Sequence, residues 1–397
     1  MSIRVPYAMS FYDDQEIEAV LKVLKSGSTM AGKNVANLES SIAASFGHDY
    51  GIMCNSGSSA LTLALAALNL PKDSEVITPA LTFSTTVASL LQAGLVPVFV
   101  DSDPQSLNIK VDLIEAAISE KTSALMIPDL MGNFSDWDQL KKIADKHSLA
   151  IVNDSADTIG HKLRGTPIGE RADISTTSLY GAHIINGAGN GGMVTTSSKE
   201  LADRIRKFRS WGRNSALMGE TEDADKRFNC MIDDIPYDNK FVFSDIGYNF
   251  EGSEIGAAFG NVQFSKLEDF KKRRRSIFDQ HVAFIKDYPE FFLLPTELPE
   301  AEVVWYAFPL IICEDAPFSR TDMQIYLEGR NIQTRPVFAG NITRQPGFKD
   351  KNFRIASDLS GADFSMRNTL VIGCHQGMND SHVSWVHKSI VEFINSL

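Results

Sequence analysis

The segment with the most chemistry in it runs Ser175-Thr-Thr-Ser178-Leu-Tyr180-Gly-Ala-His183-Ile-Ile-Asn-Gly187-Ala-Gly189-Asn-Gly191-Gly192-Met-Val. Its imidazole, His183, is the side-chain type that takes and returns a proton near neutral pH. A lone histidine is more often a satisfied core or surface residue, so the reading depends on its neighbours. Four glycines within residues 187–192 let backbone pack closely against a ligand or a neighbouring strand. Two further stretches carry chemistry. Asn55-Ser56-Gly57-Ser58-Ser59-Ala60 places small residues before an Ala/Leu-rich run. There the free N–H groups of a helix start favour a phosphate, although the same residues also make a plain N-cap. In Ile151-Val152-Asn153-Asp154-Ser155-Ala156-Asp157, Asp154 ends an apolar run. Its carboxylate can pair with a protonated ring nitrogen of a cofactor or simply cap a helix.

The elements that must position these groups alternate. Glu75 to Pro79, Val96 to Val100, Ala124 to Ile127 and Leu149 to Val152 read as short buried strands, stopped by Pro79, Asp101 and Asn153-Asp154. Helical spacing appears over Asp13 to Lys25, Ser58 to Leu68 and Trp137 to His147. Such alternation implies a mostly parallel sheet with helices on both faces, and ligands then sit beyond the carboxyl ends of its strands. Asp154 and the Thr82 to Thr86 loop both fall at such ends. The pattern changes after about residue 250. Ile255 to Ile285 reads as one long helix or two joined ones, followed by strand-like Val303 to Ile312 and helix-like Arg320 to Glu328. The expected division is a large α/β domain over 1–250 and a small α+β domain over 251–397.

Composition narrows the class. Of 397 residues, 38 are Lys or Arg and 50 are Asp or Glu, a net charge of −12. That balance argues against a general nucleic-acid binder. The basic run Lys271 to Arg275 is expected to decorate a helix surface. The cysteines Cys54, Cys230, Cys313 and Cys374 are too scattered for a disulfide framework or a CxxC metal site. No uncharged apolar stretch is long enough to span a membrane, and a reduced, cytoplasmic setting is expected.

Six segments in this order, NSGSSA, TPALTFSTT, NDSADTIG, TSLYGAHIINGAGNGGMVTT, DIGYNFEGSEIGAAFGNVQ and TRPVFAGN, make the chain resemble the DegT/DnrJ/EryC1/StrS group of nucleotide-sugar aminotransferases. The resemblance extends from about Tyr12 to about Gln376. It implies the pyridoxal-phosphate-dependent transferase fold of type I, with pyridoxal 5′-phosphate or its pyridoxamine form as cofactor. Family aminotransferases carry their cofactor-binding lysine five residues after the serine of the fourth segment. That count from Ser178 reaches His183, and no lysine lies between Lys162 and Lys199. Imidazole cannot make the covalent link, but it can act as a base. Two histidine-bearing subgroups are similar here. One comprises the GDP-4-keto-6-deoxy-D-mannose 3-dehydratases. The other is a sugar 3-dehydrase that also holds an iron–sulfur cluster on four cysteines. Only Cys230 lies in the corresponding 175–255 region, so no iron–sulfur cluster is expected.

The resemblance therefore implies dehydration at C3 of an NDP-4-keto-6-deoxyhexose, in deoxysugar or lipopolysaccharide O-antigen biosynthesis. His183 would be the base, glutamate the amino donor, and no metal would take part. Asp154 would hold the ring nitrogen. Gly57, Ser58 and Ser178 would hold the phosphate, Phe83 would stack on the ring, and Asp157 would lie near the ring hydroxyl. Asn249 would reach the phosphate of a neighbouring subunit, making a homodimer with shared sites. Arg335 and Asn341 would face the substrate. Glu251 stands where relatives commonly have a basic or neutral residue, and beside a diphosphate it would be repulsive. The alternatives are an aminotransferase with atypical cofactor anchoring and a non-catalytic binding protein of the same fold.

Overall fold

The computed structural model describes residues 3–217 and 223–397. Helices α1 (Asp14–Ser26) and α2 (Lys33–Phe46) precede the first strand. α1 starts at a capping box, in which Asp13 and Glu16 satisfy each other's backbone. Strand β1 (Tyr50–Cys54) leads into α3 (Gly57–Leu68), and β2 (Glu75–Pro79) into α4 (Ser84–Gln92). β3 (Val96–Val100) and β4 (Thr122–Pro128) follow, then α5 (Trp137–His147) and β5 (Ala150–Asp154). β6 (Ile174–Ser178), β7 (Gly192–Thr196) and α6 (Lys199–Arg209) come next. α7 (Glu254–Ser265) and α8 (Leu267–Ile285) are two helices joined at Lys266.

The large sheet has eight strands in the order β1-β7-β6-β5-β4-β2-β3, closed by the short strand Arg354–Ile355. β7 runs antiparallel to both β1 and β6, and the remaining pairings are parallel. This is the large, mostly parallel sheet of the α/β reading. The strands are buried on both sides; β2 to β5 accordingly read as mainly apolar runs, whereas β6 and β7 bury Ser and Thr. Successive side chains serve opposite faces. Val76, Ala124, Met126 and Val152 pack with α3 and α6, through Leu61, Leu65, Ala202 and Ile205. Ile77, Leu125, Ile127 and Ile151 pack with α5, through Trp137, Leu140 and Ala144. Each Val, Leu, Ile or Met among them contributes about 1.5–3 kcal/mol on burial.

Beyond residue 250 a second, antiparallel sheet has the order 292–293, 308–312, 369–372, 335–336. Several pairings cross the expected division at 250, among them Ala301–Glu302 with Lys162–Leu163 and the Leu81–Asn341 bridge. Arg354–Ile355 extends the large sheet, and Val5 bridges to Ile332. The strand expected over Val303 to Ile312 is shorter, Phe308–Ile312. The preceding backbone is drawn elsewhere: Val304 N–H donates to His161 Nε2 and Tyr306 N–H to the carbonyl of Met131. Among the described residues, no helix is long and apolar enough to cross a membrane.

Candidate active site

β1, β2, β4, β5 and β6 end on the same edge of the sheet, and a cavity of about 490 Å³ opens there. Each strand end delivers its own group. β1 hands over to Ser56, the N-cap of α3, whose hydroxyl accepts from Ser59 N–H at 3.1 Å. The first-turn N–H groups of Gly57 and Ser58 then face the cavity as an anion seat. A Cβ on Gly57 would stand 2.8 Å from that of Ser178, so glycine here is what lets α3 approach the end of β6. Phe83, after β2, is half-exposed in the cavity wall, edge-on to Phe338 at 5.5 Å.

β5 delivers two carboxylates. Asp154 is 5% exposed; its Oδ2 accepts from the Thr86 hydroxyl at 2.7 Å and its Oδ1 from Ala156 N–H at 3.2 Å. Among the described residues no lysine or arginine is paired with it, and burial raises its pKa. A buried carboxylate without a cation, facing a cavity, fits a ligand that brings a positive charge. Asp157 accepts from Met131 N–H at 3.0 Å. Burial, then the charges of Asp154 and Asp129, push it up to about 8. Asp129, below them, accepts from Trp137, Asn153 and Ser155 and is itself pushed up to about 7 by burial.

β6 ends at Ser178, whose Oγ accepts from Tyr180 N–H at 3.2 Å. The chain then turns, with His183 N–H donating to the Tyr180 carbonyl. The returning arm is tied to the outgoing one by Leu179 N–H to Gly191, Gly181 N–H to Gly189 and Gly187 N–H to Leu179. Gly192 allows this return to pass beside α3: a Cβ there would stand 2.2 Å from the Ser56 carbonyl oxygen. His183 therefore sits in the cavity wall with its side chain 15% exposed. Its Nδ1 is 3.8 Å from Asp157 Oδ1 and has no hydrogen-bond partner, and its ring lies 5.3 Å from that of Tyr306. Burial, then the charge of Arg274, lower its pKa to about 4, so the free imidazole is the neutral-pH form. Among the described residues, none of those lining the cavity is a lysine.

The structure brings Gly57, Ser58, Phe83, Asp154, Asp157, Ser178, His183 and Arg335 to one cavity. Arg335 lies over the Tyr7 ring at 4.9 Å, at the mouth. It does not bring Asn341 there, and Asn249, expected at a neighbouring subunit's phosphate, also lies outside this chain's own cavity. Asn341 is buried outside the lining, where its amide donates to Asp363 Oδ1 at 2.7 Å and its oxygen caps the turn at Thr343. Asn249 is exposed on the surface, bridged to Ser210. Glu251 is neutralised by Arg209 at 3.2 Å and accepts from the Ser210 hydroxyl. Sequence reading missed Thr86 as the partner of Asp154, and Tyr7 and Tyr306 as cavity walls. It also misplaced Arg274, expected on a helix surface and found 1% exposed. The spacing held the signal, since Phe270, Arg274, Ile277, Phe278 and His281 all fall on the buried face of α8.

Among known proteins, the chain is 37% identical over 393 residues to a dTDP-4-dehydro-2,6-dideoxy-D-glucose 3-dehydratase of Saccharopolyspora spinosa, covering 96% of this chain and 85% of that one. It superposes on the E. coli GDP-4-keto-6-deoxy-D-mannose-3-dehydratase with bound hydrated PLP. There the TM-score is 0.88 at 27% identity, covering 98% of this chain and 100% of the other. A GDP-4-keto-6-deoxymannose-3-dehydratase with a trapped PLP-glutamate geminal diamine matches with a TM-score of 0.87 at 27% identity, covering 97% and 99%. The family model for these enzymes matches residues 11–391, and the chain belongs to the DegT/DnrJ/EryC1/StrS aminotransferase family.

Proposed function

We propose that this protein removes the C3 hydroxyl of an NDP-4-keto-6-deoxyhexose, using pyridoxamine 5′-phosphate that glutamate regenerates from pyridoxal 5′-phosphate. The observation that carries this reading is His183, an unpaired imidazole in a cavity whose lining includes no lysine. The cavity residues fit the cofactor. Gly57, Ser58 and Ser178 offer an anion seat at the start of α3, and Asp154 offers a carboxylate in need of a cation. When bound, the cofactor supplies a protonated pyridine ring that acts as an electron sink and makes a proton on its adjacent carbon removable.

The chain's own groups do the rest. Thr86 orients Asp154, whose charge holds the proton on the ring nitrogen. Phe83 covers one face of the ring. His183, uncharged at neutral pH, takes the proton from carbon and can return one to the departing C3 oxygen, which leaves as water. Asp157 stands 3.8 Å from Nδ1, and a positive charge on that imidazole would favour the ionised form of the carboxyl, which then steadies it. Arg335 at the mouth faces the sugar nucleotide. Asn249 serves the site of a second subunit, and a homodimer is supported by exposed apolar side chains in the segment that leads to it, Ile235, Phe241, Phe243 and Ile246.

The test is to incubate the protein with pyridoxal phosphate, glutamate and an NDP-4-keto-6-deoxyhexose, and to weigh the products. A 3-deoxy-4-keto sugar nucleotide is expected. A stable amino sugar would instead make the protein an aminotransferase.

A further inference from the structure

Arg274 is a guanidinium buried to 1% exposure with no carboxylate paired to it among the described residues. All of its partners are neutral. Nη1 donates to the carbonyls of Trp305, Tyr306 and Cys374 at 3.1, 2.9 and 3.1 Å, and Nε donates to Gln376 Oε1 at 2.7 Å. Nη2 is buried without a partner. Placing an unpaired charge in the interior is costly, and an arginine that only needed to bind carbonyls is commonly accompanied by an acid.

Both arms of this side chain lead to His183. Through Gln376, whose Nε2 donates to the Ile184 carbonyl at 3.0 Å, Arg274 tethers the backbone directly after the histidine. Through the Tyr306 carbonyl it fixes the residue whose ring lies 5.3 Å from the imidazole. The histidine is thus held from behind and from the side by groups that converge on one cation, while its Nδ1 is left without a hydrogen bond.

We propose that Arg274, acting through Gln376 and Tyr306, is a positioning residue that keeps His183 in place as an uncharged base. Its field opposes a second positive charge on the imidazole. That agrees in direction with the lowered His183 pKa, in which burial comes first and Arg274 second. The other titratable groups around His183 are Asp157 at 3.8 Å, Asp154, Asp129 and Arg335 in the same cavity, and the phenols of Tyr180, Tyr306 and Tyr7. Any of these carboxyls that ionises favours the imidazolium, and the Arg274 guanidinium acts against it together with burial.

The role rests on His183 being the base, but its titration can be followed without turnover, so the two readings fail separately. In the cofactor-free protein, the His183 ring signal is assigned by comparison with His183→Asn and titrated by NMR. Arg274→Met is expected to move the midpoint up by about one unit, a tenfold change in the protonated fraction. Arg274→Lys, which keeps the charge, is expected to leave it near the wild-type value. An equal midpoint in wild type, Arg274→Lys and Arg274→Met overturns the proposal. In the dehydration assay the acid limb for Arg274→Met shifts to higher pH in step. Should Arg274→Met not fold, Gln376→Leu decides the tether: kcat at least about fivefold lower with an unmoved midpoint supports it, and unchanged kcat refutes it.

Discussion

At the scale of single residues, one substitution separates the proposed chemistry from transamination. His183→Lys is expected to abolish dehydration and to let pyridoxal phosphate attach covalently, trapped on residue 183 by borohydride and found by peptide mass. Dehydration that persists unchanged would show that the imidazole is not the base. Thr86→Val removes the hydroxyl that donates to Asp154 at 2.7 Å. Losing one hydrogen bond to a buried charge costs about 1.5–3 kcal/mol, so cofactor affinity measured by fluorescence titration should fall about tenfold or more. Asp154 and His183 were legible because a carboxylate after an apolar run and a histidine in a glycine-rich return are local patterns. Tyr306 and Thr86 were not, because what makes them site residues is contact across the fold: Tyr306 N–H reaches the Met131 carbonyl, and Thr86 reaches a strand 68 positions away. Asn341 shows the reverse error. It stands in a segment similar to the family's, yet its amide is committed to Asp363 and its side chain is turned from the cavity.

At the scale of elements, the site is a set of strand ends held in register by close backbone passages. Gly192 is the tightest of those at the site itself. Ala there would put a methyl 2.2 Å from the Ser56 carbonyl, forcing apart the N-cap of α3 and the start of β7. Gly192→Ala should cost about 1–3 kcal/mol in urea unfolding, and should weaken cofactor binding, because the displaced element is the anion seat. Equal stability and affinity would place the strain elsewhere. Strands β2 to β5 were readable as Val/Ile runs stopped by proline or an acid. The irregular stretch before Phe308 was read as strand because it is equally apolar. Its apolar side chains are indeed buried, at Val303, Val304 and Trp305. Its backbone donors, however, go to His161 and Met131 rather than to a ladder, and side-chain hydropathy does not register that choice. Arg274 was misread for a related reason, since a run of five basic residues hides which one the helix turns inward.

At the scale of the molecule, the charge of −12 in the sequence has a counterpart inside. Asp129, Asp154 and Asp157 are gathered at one edge of the sheet, and burial raises the pKa of each. The folded, cofactor-free chain thus retains protons that the unfolded chain releases near pH 4. The stability tied to those protons is lost as pH rises through about 7 for Asp129 and about 8 for Asp157. The buried histidines His48, His161, His183, His281, His375 and His387, whose pKa burial lowers, act in the opposite sense up to about pH 7.5, because the unfolded imidazole still binds protons there and the folded one does not. Thermal unfolding of the cofactor-free protein should show Tm falling between about pH 7.5 and 8.5, where the histidines no longer contribute, and less steeply in Asp157→Asn. A slope unaffected by Asp157→Asn would show that this carboxyl is not the proton holder. The central claim concerns the fate of one oxygen. An NDP-4-keto-6-deoxyhexose labelled with 18O at C3, turned over with pyridoxal phosphate and glutamate, should release its label to water with the wild-type chain and keep it with His183→Asn. Label retained at C3 of a product carrying a new amino group would contradict the account.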